Sequence, residues 1–348
     1  MKTTIPPLAN NEIPTNRANR LKDDQLEMFN KDASLENLKA VKEFGIPASK
    51  ILLAMSETCR HEAKQVLNIE NRPEDKYSDR NKLNDLPGRV WIQETKSNWR
   101  QKGLGKGHPH TSYERLHPAP FSYQDVGRLI RFFTKSKDQV LDPFCGIGST
   151  LKACAFLDRK GTGVELSSTW AELAEERLTV EVGINHSQTV VCKDIRAALS
   201  NFRDEQFQFA VTSPPYWNIL TKNADHKVKE SRLVKNLATQ YSNSQYDLGN
   251  IEKYETFLQE LTNIFRQVAV KVENKRYMAI IVSDFRHGSQ FYPFHSDLYH
   301  HLCDDAIKLV GISMLEQTHK KLYPYGYPFC YIPNIHHQYI LLFQVFHQ

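Results

Sequence analysis

Several features that would assign the 348-residue chain to a common class of protein are missing from its sequence. No stretch approaches the roughly 18 consecutive apolar residues of a membrane-spanning helix, and residues 1–14 lack the apolar core of a signal peptide. The six cysteines form no C-x-x-C pair and have no metal-ligand spacing. These absences predict a cytoplasmic protein without a membrane anchor, a disulfide framework or a metal site.

Neither of the two common nucleotide-binding glycine motifs is present. The sequence has no G-x-G-x-x-G of dinucleotide enzymes and no glycine loop that ends in Gly-Lys-Ser/Thr. A strong excess of one charge sign is missing too, because the net charge is only +5. Such a mildly basic balance is compatible with a polyanionic partner, although many proteins without one share it.

What the sequence does contain, from residue 139 onward, is an alternation of β-rich and helical segments. The β-rich runs cover residues 139–142, 161–166, 189–194, 207–212 and 278–283, and helical spacing occurs at 150–157 and 169–182. This alternation predicts an α/β fold with a parallel sheet covered on both faces. Two final strands are expected at 311–315 and 338–343, joined by a long aromatic loop at 323–334.

Three acidic residues end the first three predicted strands. Asp142 ends the first strand, and Gly146 and Gly148 then allow the backbone to approach a ligand before a helix begins. Glu165 ends the second strand at a distance that suits two ribose hydroxyls, and Asp194 ends the third, where it could bond an adenine amino group. Each acid could instead cap the following helix. Three acids in register with a glycine loop favour a ligand site.

A second constellation, Thr212-Ser-Pro-Pro-Tyr-Trp217, directly follows the fourth predicted strand. Its prolines fix the backbone and have no N–H donors, so the turn presents a hydroxyl, carbonyl acceptors and two aromatic rings. Those groups suit a flat base that carries an amino group, which needs acceptors to orient it and a ring on which to stack. The alternative is a Pro-Pro turn around a buried aromatic residue.

Together, Asp142-Pro-Phe-Cys-Gly-Ile-Gly-Ser149 and Ser213-Pro-Pro-Tyr216 resemble the cofactor and catalytic motifs of the amino-methylating DNA methyltransferases. The Ser-Pro-Pro-Tyr form followed by Trp is more typical of the cytosine-N4 branch, whereas Asp-Pro-Pro-Tyr dominates the adenine-N6 branch. Other segments are also similar to that family: His117–Phe121, Leu86–Trp91, Thr95–Ser97, Asp284–Arg286 and His336–Phe343. The resemblance covers roughly residues 86–343.

The resemblance implies a class I S-adenosylmethionine-dependent methyltransferase fold, Rossmann-like, with a mostly parallel seven-stranded sheet whose last strand is antiparallel. Residues 86–348 would form the catalytic domain, and residues 1–85 an N-terminal extension that is helical in part. The implied reaction transfers a methyl group from S-adenosylmethionine to the N4 amino group of cytosine in double-stranded DNA, without a covalent enzyme intermediate. The enzyme would serve a restriction-modification system, with a restriction endonuclease acting on the same site.

The implied catalytic residues are Ser213, Pro214, Pro215 and Tyr216. The Ser213 hydroxyl and the Pro214 carbonyl would accept hydrogen bonds from the target amino group, and Tyr216 would stack on the base. The implied cofactor-binding residues are Phe121, Asp142, Pro143, Phe144, Cys145, Gly146, Gly148, Ser149, Thr150, Glu165, Leu166, Asp194 and Ile195.

Two basic segments are candidates for contact with DNA phosphates. Residues 96–115 carry five basic residues against one acid, and residues 218–250 directly follow the catalytic turn. The second segment is favoured as a flap over the substrate, although a solvated surface is the alternative for both. The expected DNA-binding residues are Trp217, Lys222, Lys227, Lys229 and Arg232.

Other functions are also compatible with these motifs. The same chemistry on adenine N6 is the nearest one. An RNA methyltransferase is possible because Asp-Pro-Phe-Cys-Gly also occurs in enzymes that act on transfer RNA. Methylation of a protein glutamine fits less well, since it uses Asn-Pro-Pro-Tyr. An inactive cofactor-binding DNA protein would be expected to show decay in one motif, and both motifs are intact here.

Overall fold

The structure, a computed structural model, describes residues 81–86, 88–102, 113–117, 121–218, 244, 246–318 and 320–347. All of them lie in the compact unit that spans Glu74–Gln348. The predicted polar arm and helical region of residues 1–80 lie outside the described residues, so the division at residues 85 and 86 stays a prediction. Most of the predicted flap also lies outside them, including Lys222, Lys227, Lys229 and Arg232.

An eight-stranded mixed sheet forms the centre of the described part of the chain. Its strands are β1 (Asn98–Arg100), β2 (Gln139–Asp142), β3 (Lys160–Glu165), β4 (Thr189–Cys192), β5 (Phe207–Thr212), β6 (Val272–Val282), β9 (Ile307–Glu316) and β10 (His337–Val345). Strands β7 (Phe285–His287) and β8 (Gln290–Tyr292) form a separate hairpin. The order across the sheet is β1-β9-β10-β6-β5-β2-β3-β4.

Strand β10 is antiparallel to both of its neighbours, β6 and β9, while the other pairs in the sheet are parallel. The chain runs outward from β2 through β3 to β4 and then returns to place β5 on the other side of β2. This reversal creates a crevice at the carboxyl ends of β2 and β5, which is where open α/β sheets bind ligands.

Helices cover both faces of the sheet. They are α1 (Gly88–Glu94), α2 (Tyr123–Phe133), α3 (Ser149–Phe156), α4 (Ser168–Glu181), α5 (Ile195–Ala198), α6 (Tyr254–Lys271) and α7 (Phe294–Leu302). Helix α2 buries Val126, Leu129, Ile130 and Phe133, a spacing that places them on one helical face. None of the described helices is long and apolar enough to cross a membrane.

Successive strand residues enter different cores because their side chains alternate between the two faces of the sheet. Val140 and Ile281 pack with α2, whereas Leu141 and Ile280 pack in the core that contains α6 and α7. Burial on both faces explains why the central strands read as continuous apolar runs. The predicted class I fold with an antiparallel last strand is confirmed. The predicted number of seven strands was short by β1, which adds an edge to β9.

Candidate active site

A cleft opens at the carboxyl edge of the parallel strands. The glycine loop after β2, the ends of β3 and β4, and the turn after β5 all contribute to its wall. Eleven of the predicted site residues line it: Pro143, Phe144, Gly146, Glu165, Leu166, Asp194, Ile195, Ser213, Pro214, Pro215 and Tyr216. The structure therefore brings seven of the thirteen predicted cofactor residues and the predicted catalytic turn into one cleft.

The glycine loop places the Gly146 backbone against this cleft, beside Pro143 and Phe144. Gly146 has φ +50° and Gly148 has φ +72°, both in the left-handed region that glycine adopts without strain. A methyl group added at Gly146 would come within 3.2 Å of the His117 Nε2 atom. Gly148 is the residue that precedes the first turn of α3. The loop thus needs glycine at both positions to reach the helix.

Glu165 holds the glycine loop and still faces the cleft. Its Oε2 atom accepts a hydrogen bond from the Gly146 N–H at 2.9 Å, and its Oε1 atom accepts one from the Ser167 N–H at 2.9 Å. Burial raises the pKa of Glu165 to about 7, and the nearby charges of Asp142 and Asp247 also raise it, against the effect of the two hydrogen bonds. A carboxylate can accept about four hydrogen bonds, so each oxygen keeps one lone pair for a ligand.

Asp142 lies behind the cleft and joins its two halves. Its Oδ1 atom accepts hydrogen bonds from the Thr212 hydroxyl at 2.6 Å and from the Phe144 N–H at 3.1 Å, and its Oδ2 atom accepts one from the Thr150 hydroxyl. Burial raises the pKa of Asp142 to about 6 despite these bonds. Asp142 thus connects the glycine loop to the residue that precedes Ser213, and its contact with a cofactor stays a prediction.

Asp194 both caps a helix and lines the cleft, so the two interpretations of its position combine. Its Oδ1 atom accepts from the Arg196 N–H at 2.8 Å and from the Arg196 Nε at 2.9 Å, and its Oδ2 atom accepts from the Arg196 Nη2 at 2.6 Å. Although burial alone would raise it, these bonds lower the pKa of Asp194 below its usual value. One lone pair of Oδ2 remains for a ligand amino group.

The turn after β5 is held rigidly around Tyr216. The Tyr216 hydroxyl accepts a hydrogen bond from the Gln338 Nε2 at 3.2 Å and lies within hydrogen-bond reach of the Ser213 side chain and the Ser283 backbone. Its ring meets the edge of Phe294 at a centroid distance of 6.0 Å. Burial raises the pKa of Tyr216, so the hydroxyl stays neutral. The ring is thereby fixed before any base enters the cleft.

Trp217 points away from the cleft, which argues against its predicted contact with DNA. Its side chain is buried, and its Nε1–H donates a hydrogen bond to the Ile251 carbonyl at 2.9 Å. Aromatic rings surround it, with Tyr254 at 5.4 Å and Tyr292 at 5.3 Å between centroids. The alternative of a Pro-Pro turn around a buried aromatic residue is therefore correct for this one side chain.

Five other predicted cofactor residues do not line the cleft, because they support the loop from behind or lie elsewhere. Thr150 donates to Asp142, and Ser149 accepts a hydrogen bond from Arg177 at 2.9 Å. Cys145 is buried, and Phe121 packs with the α2 core. Gly148 is likewise fully enclosed. Thr150, Ser149, Cys145 and Gly148 support the loop together with Asp142, while Phe121 lies against the α2 core, and contact of these residues with a cofactor stays a prediction.

A buried charge network connects the glycine loop to residues 113–117. The Arg177 guanidinium is fully buried and donates to the Ile147 carbonyl at 3.2 Å, to Ser149, to Glu114 at 3.0 Å and to Glu181 at 2.8 Å. The Lys152 ammonium also reaches Glu181 at 2.7 Å, and burial lowers its pKa to about 8. This network anchors the segment that carries His117, which lines the cleft beside Gly146.

Sequence reasoning missed eight lining residues, some next to predicted ones and some from distant parts of the chain: His117, Val164, Lys193, Arg196, Tyr246, Asp247, Leu248 and Ile264. His117 lies in the segment His117–Phe121, whose similarity to the methyltransferase family could have indicated its role. Tyr246, Asp247 and Leu248 carry no motif. Asp247 caps the 3-10 turn Leu248–Asn250 by accepting from the Gly249 N–H at 2.9 Å, and this turn brings the three residues to the cleft.

Comparison with known proteins identifies one family. Residues 12–176, somewhat less than half of the chain, match a family model described as DNA methylase. Over these residues the chain is similar to the DNA methylases. The match contains the glycine loop and Glu165 and ends before Ser213. It also begins within residues 1–85, so the family similarity extends further towards the N-terminus than the motifs indicated.

Two curated relatives and one solved structure illustrate the similarity. The type II methyltransferase M.MjaI of Methanocaldococcus jannaschii is 36% identical over 78 residues, which are 22% of this chain and 25% of that protein. The orphan methyltransferase M.BamHII of Bacillus amyloliquefaciens is 34% identical over 83 residues, 23% of this chain and 30% of that protein. The structure of TrmN from Thermus thermophilus aligns with a TM-score of 0.42 and 14% identity, covering 70% of this chain and 55% of that one. The chain thus matches under a third of the length of either curated relative.

Proposed function

We propose that this protein is an S-adenosylmethionine-dependent methyltransferase that modifies an exocyclic amino group of a base in double-stranded DNA. The observation that carries the proposal is the shared cleft, which Glu165 and Gly146 line together with the Ser213–Tyr216 turn. A methyl donor and an acceptor nitrogen must meet in one enclosed geometry for direct transfer. The relationship to the DNA methylases supports nucleic acid as the substrate class.

The residues that are present fit S-adenosylmethionine. Each Glu165 oxygen keeps one lone pair, which matches the two hydroxyls of a ribose. Asp194 keeps one acceptor for the adenine amino group, beside the buried apolar side chain of Ile195. The Gly146 backbone and the Phe144 ring would face the methionine part. When bound, the cofactor supplies a methyl group activated on a sulfonium centre.

The chain's own contribution to the reaction is to orient the acceptor amino group. The nitrogen lone pair of cytosine or adenine is delocalised into the ring, which makes it a poor nucleophile. The Ser213 hydroxyl and the Pro214 carbonyl would accept hydrogen bonds from the amino group and turn its lone pair toward the methyl group. Tyr216, whose ring is already fixed, would stack on the base, a contact worth about 1–3 kcal/mol in single-strand binders. That stacking would offset part of the few kcal/mol needed to flip a base out of the duplex.

We further propose cytosine N4 as the target atom, because Ser-Pro-Pro-Tyr followed by Trp is the form typical of that branch. The test incubates the purified protein with methyl-labelled S-adenosylmethionine and unmethylated genomic DNA, then digests the DNA and identifies the labelled nucleoside. Label in N4-methylcytosine is expected. Label in N6-methyladenine would be consistent with the same mechanism but would identify adenine as the target base. Label in RNA alone would refute DNA as the substrate.

A role in a restriction-modification system is the last part of the proposal. Relatives named type II methyltransferases support it. The expected result is that DNA methylated by the purified enzyme resists cleavage in an extract of the source cells, whereas unmethylated DNA is cut. Equal cleavage of both DNAs, or of neither, would contradict a cognate endonuclease at the same site.

A further inference from the structure

An exposed aromatic loop lies at the same edge of the sheet as the cleft, and the proposed reaction does not use it. We define the aromatic loop as residues 320–334, between β9 and β10. Tyr327, Phe329 and Tyr331 in this loop are 81%, 93% and 89% exposed. Single exposed apolar residues are ordinary, but three large rings within five residues form a patch of the kind that marks an interaction surface.

The register of the sheet fixes where this loop lies. Glu316, the last residue of β9, pairs with His337, the first residue of β10. Tyr339 of β10 pairs with Val282, the last residue of β6. Strand β6 is in turn parallel to β5, which ends immediately before Ser213. The aromatic loop therefore leaves the sheet on the same side as the Ser213–Tyr216 turn.

Two glutamines connect the ends of the loop to that turn. Gln338, just after the loop, donates to the Tyr216 hydroxyl at 3.2 Å. Gln317, just before the loop, donates to the Gln338 side-chain oxygen at 3.4 Å. The aromatic loop, whose ends contact Tyr216 through Gln317 and Gln338, is therefore adjacent to any substrate that reaches Tyr216.

The loop has a defined structure of its own. Its base is closed by a reciprocal pair of hydrogen bonds, in which the Tyr323 N–H donates to the Asn334 side-chain oxygen at 2.9 Å and the Asn334 amide donates to the Tyr323 carbonyl at 2.8 Å. Gly326 turns the chain with φ +78°, and a methyl group there would overlap the Cys330 carbonyl oxygen at 2.3 Å. The rings are thus presented by a turn that only glycine permits.

Charge identifies the kind of partner. After Glu316 the sequence contains no Asp or Glu, whereas the loop begins with Lys320 and Lys321, both exposed. An apolar surface with a basic margin and no acid complements nucleic acid, whose phosphates attract the lysines and whose bases offer flat faces to the rings.

We propose that the aromatic loop is a DNA contact that inserts apolar side chains between base steps next to the base held in the cleft. The proposal rests on the proposed function, because it needs DNA as the substrate. Proteins that wedge apolar side chains into base steps unstack the duplex locally. Such unstacking would help to release the neighbouring base.

The test measures binding of a fluorescent mixed-sequence duplex by anisotropy, for the wild-type chain and for Phe329→Ser and Tyr331→Ser. Each variant is expected to bind at least about fivefold more weakly, the change that loss of one stacking contact produces. The salt dependence should stay unchanged, because uncharged rings release no counterions. Lys320→Ala should instead reduce the slope of log affinity against log salt by about one. Phe329→Trp, which keeps a stacking ring, should bind like the wild type.

The matched control is Ile184→Ser. Ile184 is 81% exposed and lies between α4 and the start of β4, at the opposite edge of the sheet. It should not change DNA binding. Unchanged binding by the two loop variants, with wild-type binding intact, would overturn the loop assignment alone, as would an effect confined to self-association in sedimentation. Absence of DNA binding by the wild-type chain would overturn the proposed function as well.

Discussion

Lowering the pH should release the cofactor through Glu165. Its pKa of about 7 means that roughly nine-tenths of the carboxyl is protonated at pH 6. A protonated carboxyl has lost an acceptor position and its charge, so it cannot serve both ribose hydroxyls as the carboxylate does. If binding requires the carboxylate, the affinity should fall about tenfold between the plateau above pH 8 and pH 6, or about 1.4 kcal/mol.

Calorimetric titration with S-adenosylhomocysteine can measure this dependence. The titration is repeated between pH 6 and pH 8.5 in two buffers that differ in ionisation enthalpy, so that proton release on binding is counted directly. We expect the wild-type protein to release about half a proton on binding at pH 7 and close to one proton at pH 6. Glu165→Gln should bind more weakly at pH 8 and lose this proton release, whereas the titration of Asp142, whose pKa is about 6, remains in both proteins.

The same group has a consequence for stability, with a defined sign. Because its pKa in the folded protein is raised above the ordinary value of 4.5, the folded state binds the extra proton between about pH 4.5 and pH 7. Stability from this group is therefore present at low pH and is lost as the pH rises through that range. The difference in melting temperature between Glu165→Gln and the wild type should shift in favour of the variant from pH 5 to pH 8. A pH-independent affinity, or an identical pH slope in the variant, would refute the reasoning.

Three further substitutions test the rest of the site. Ser213→Ala should lower kcat about tenfold or more and leave the affinity for S-adenosylhomocysteine unchanged, since it removes one acceptor for the amino group; full activity would contradict its role. Glu114→Ala leaves Arg177 with one carboxylate partner fewer, so chemical denaturation should show a loss of about 1–3 kcal/mol and calorimetry a weaker cofactor complex. Thr212→Val removes a donor to Asp142, which should lower kcat and destabilise the fold by about 1–3 kcal/mol, while an unchanged kcat would show that the connection does not matter.

The sheet was predictable because its signals are local. Residues 139–142 and 207–212 were predicted as strands with the bounds that the structure has. Their apolar runs are buried on both faces, and the turn residues that follow them are unambiguous. Strand β1 was not predictable, because three residues with one buried side chain give too short a pattern. Its pairing with β9 depends on a parallel contact across more than 200 residues of chain.

The sequence motifs predicted which positions contribute to the candidate site, but they did not predict which way each side chain faces. Tyr216 and Trp217 are adjacent in the sequence, yet Trp217 is enclosed by aromatic rings whereas Tyr216 lines the cleft. Only the tertiary packing of α6 and the β7-β8 hairpin decides between them. Similarly, His117 reaches the cleft because Glu114 is anchored on Arg177, a contact between residues 63 positions apart.

The three strand-end acids show why position alone did not assign their roles. All three lie at or just after the end of a strand, but the number of carboxylate lone pairs that accept hydrogen bonds within the fold differs. Asp142 receives three hydrogen bonds within the fold and is buried, Asp194 receives three and lines the cleft, and Glu165 receives two. Glu165 alone has a free lone pair on each oxygen at the cleft, so it can accept from two hydroxyls at once. Asp142 is instead bound to both Thr150 and Thr212, so a shift of the glycine loop would be transmitted to the turn that starts at Ser213.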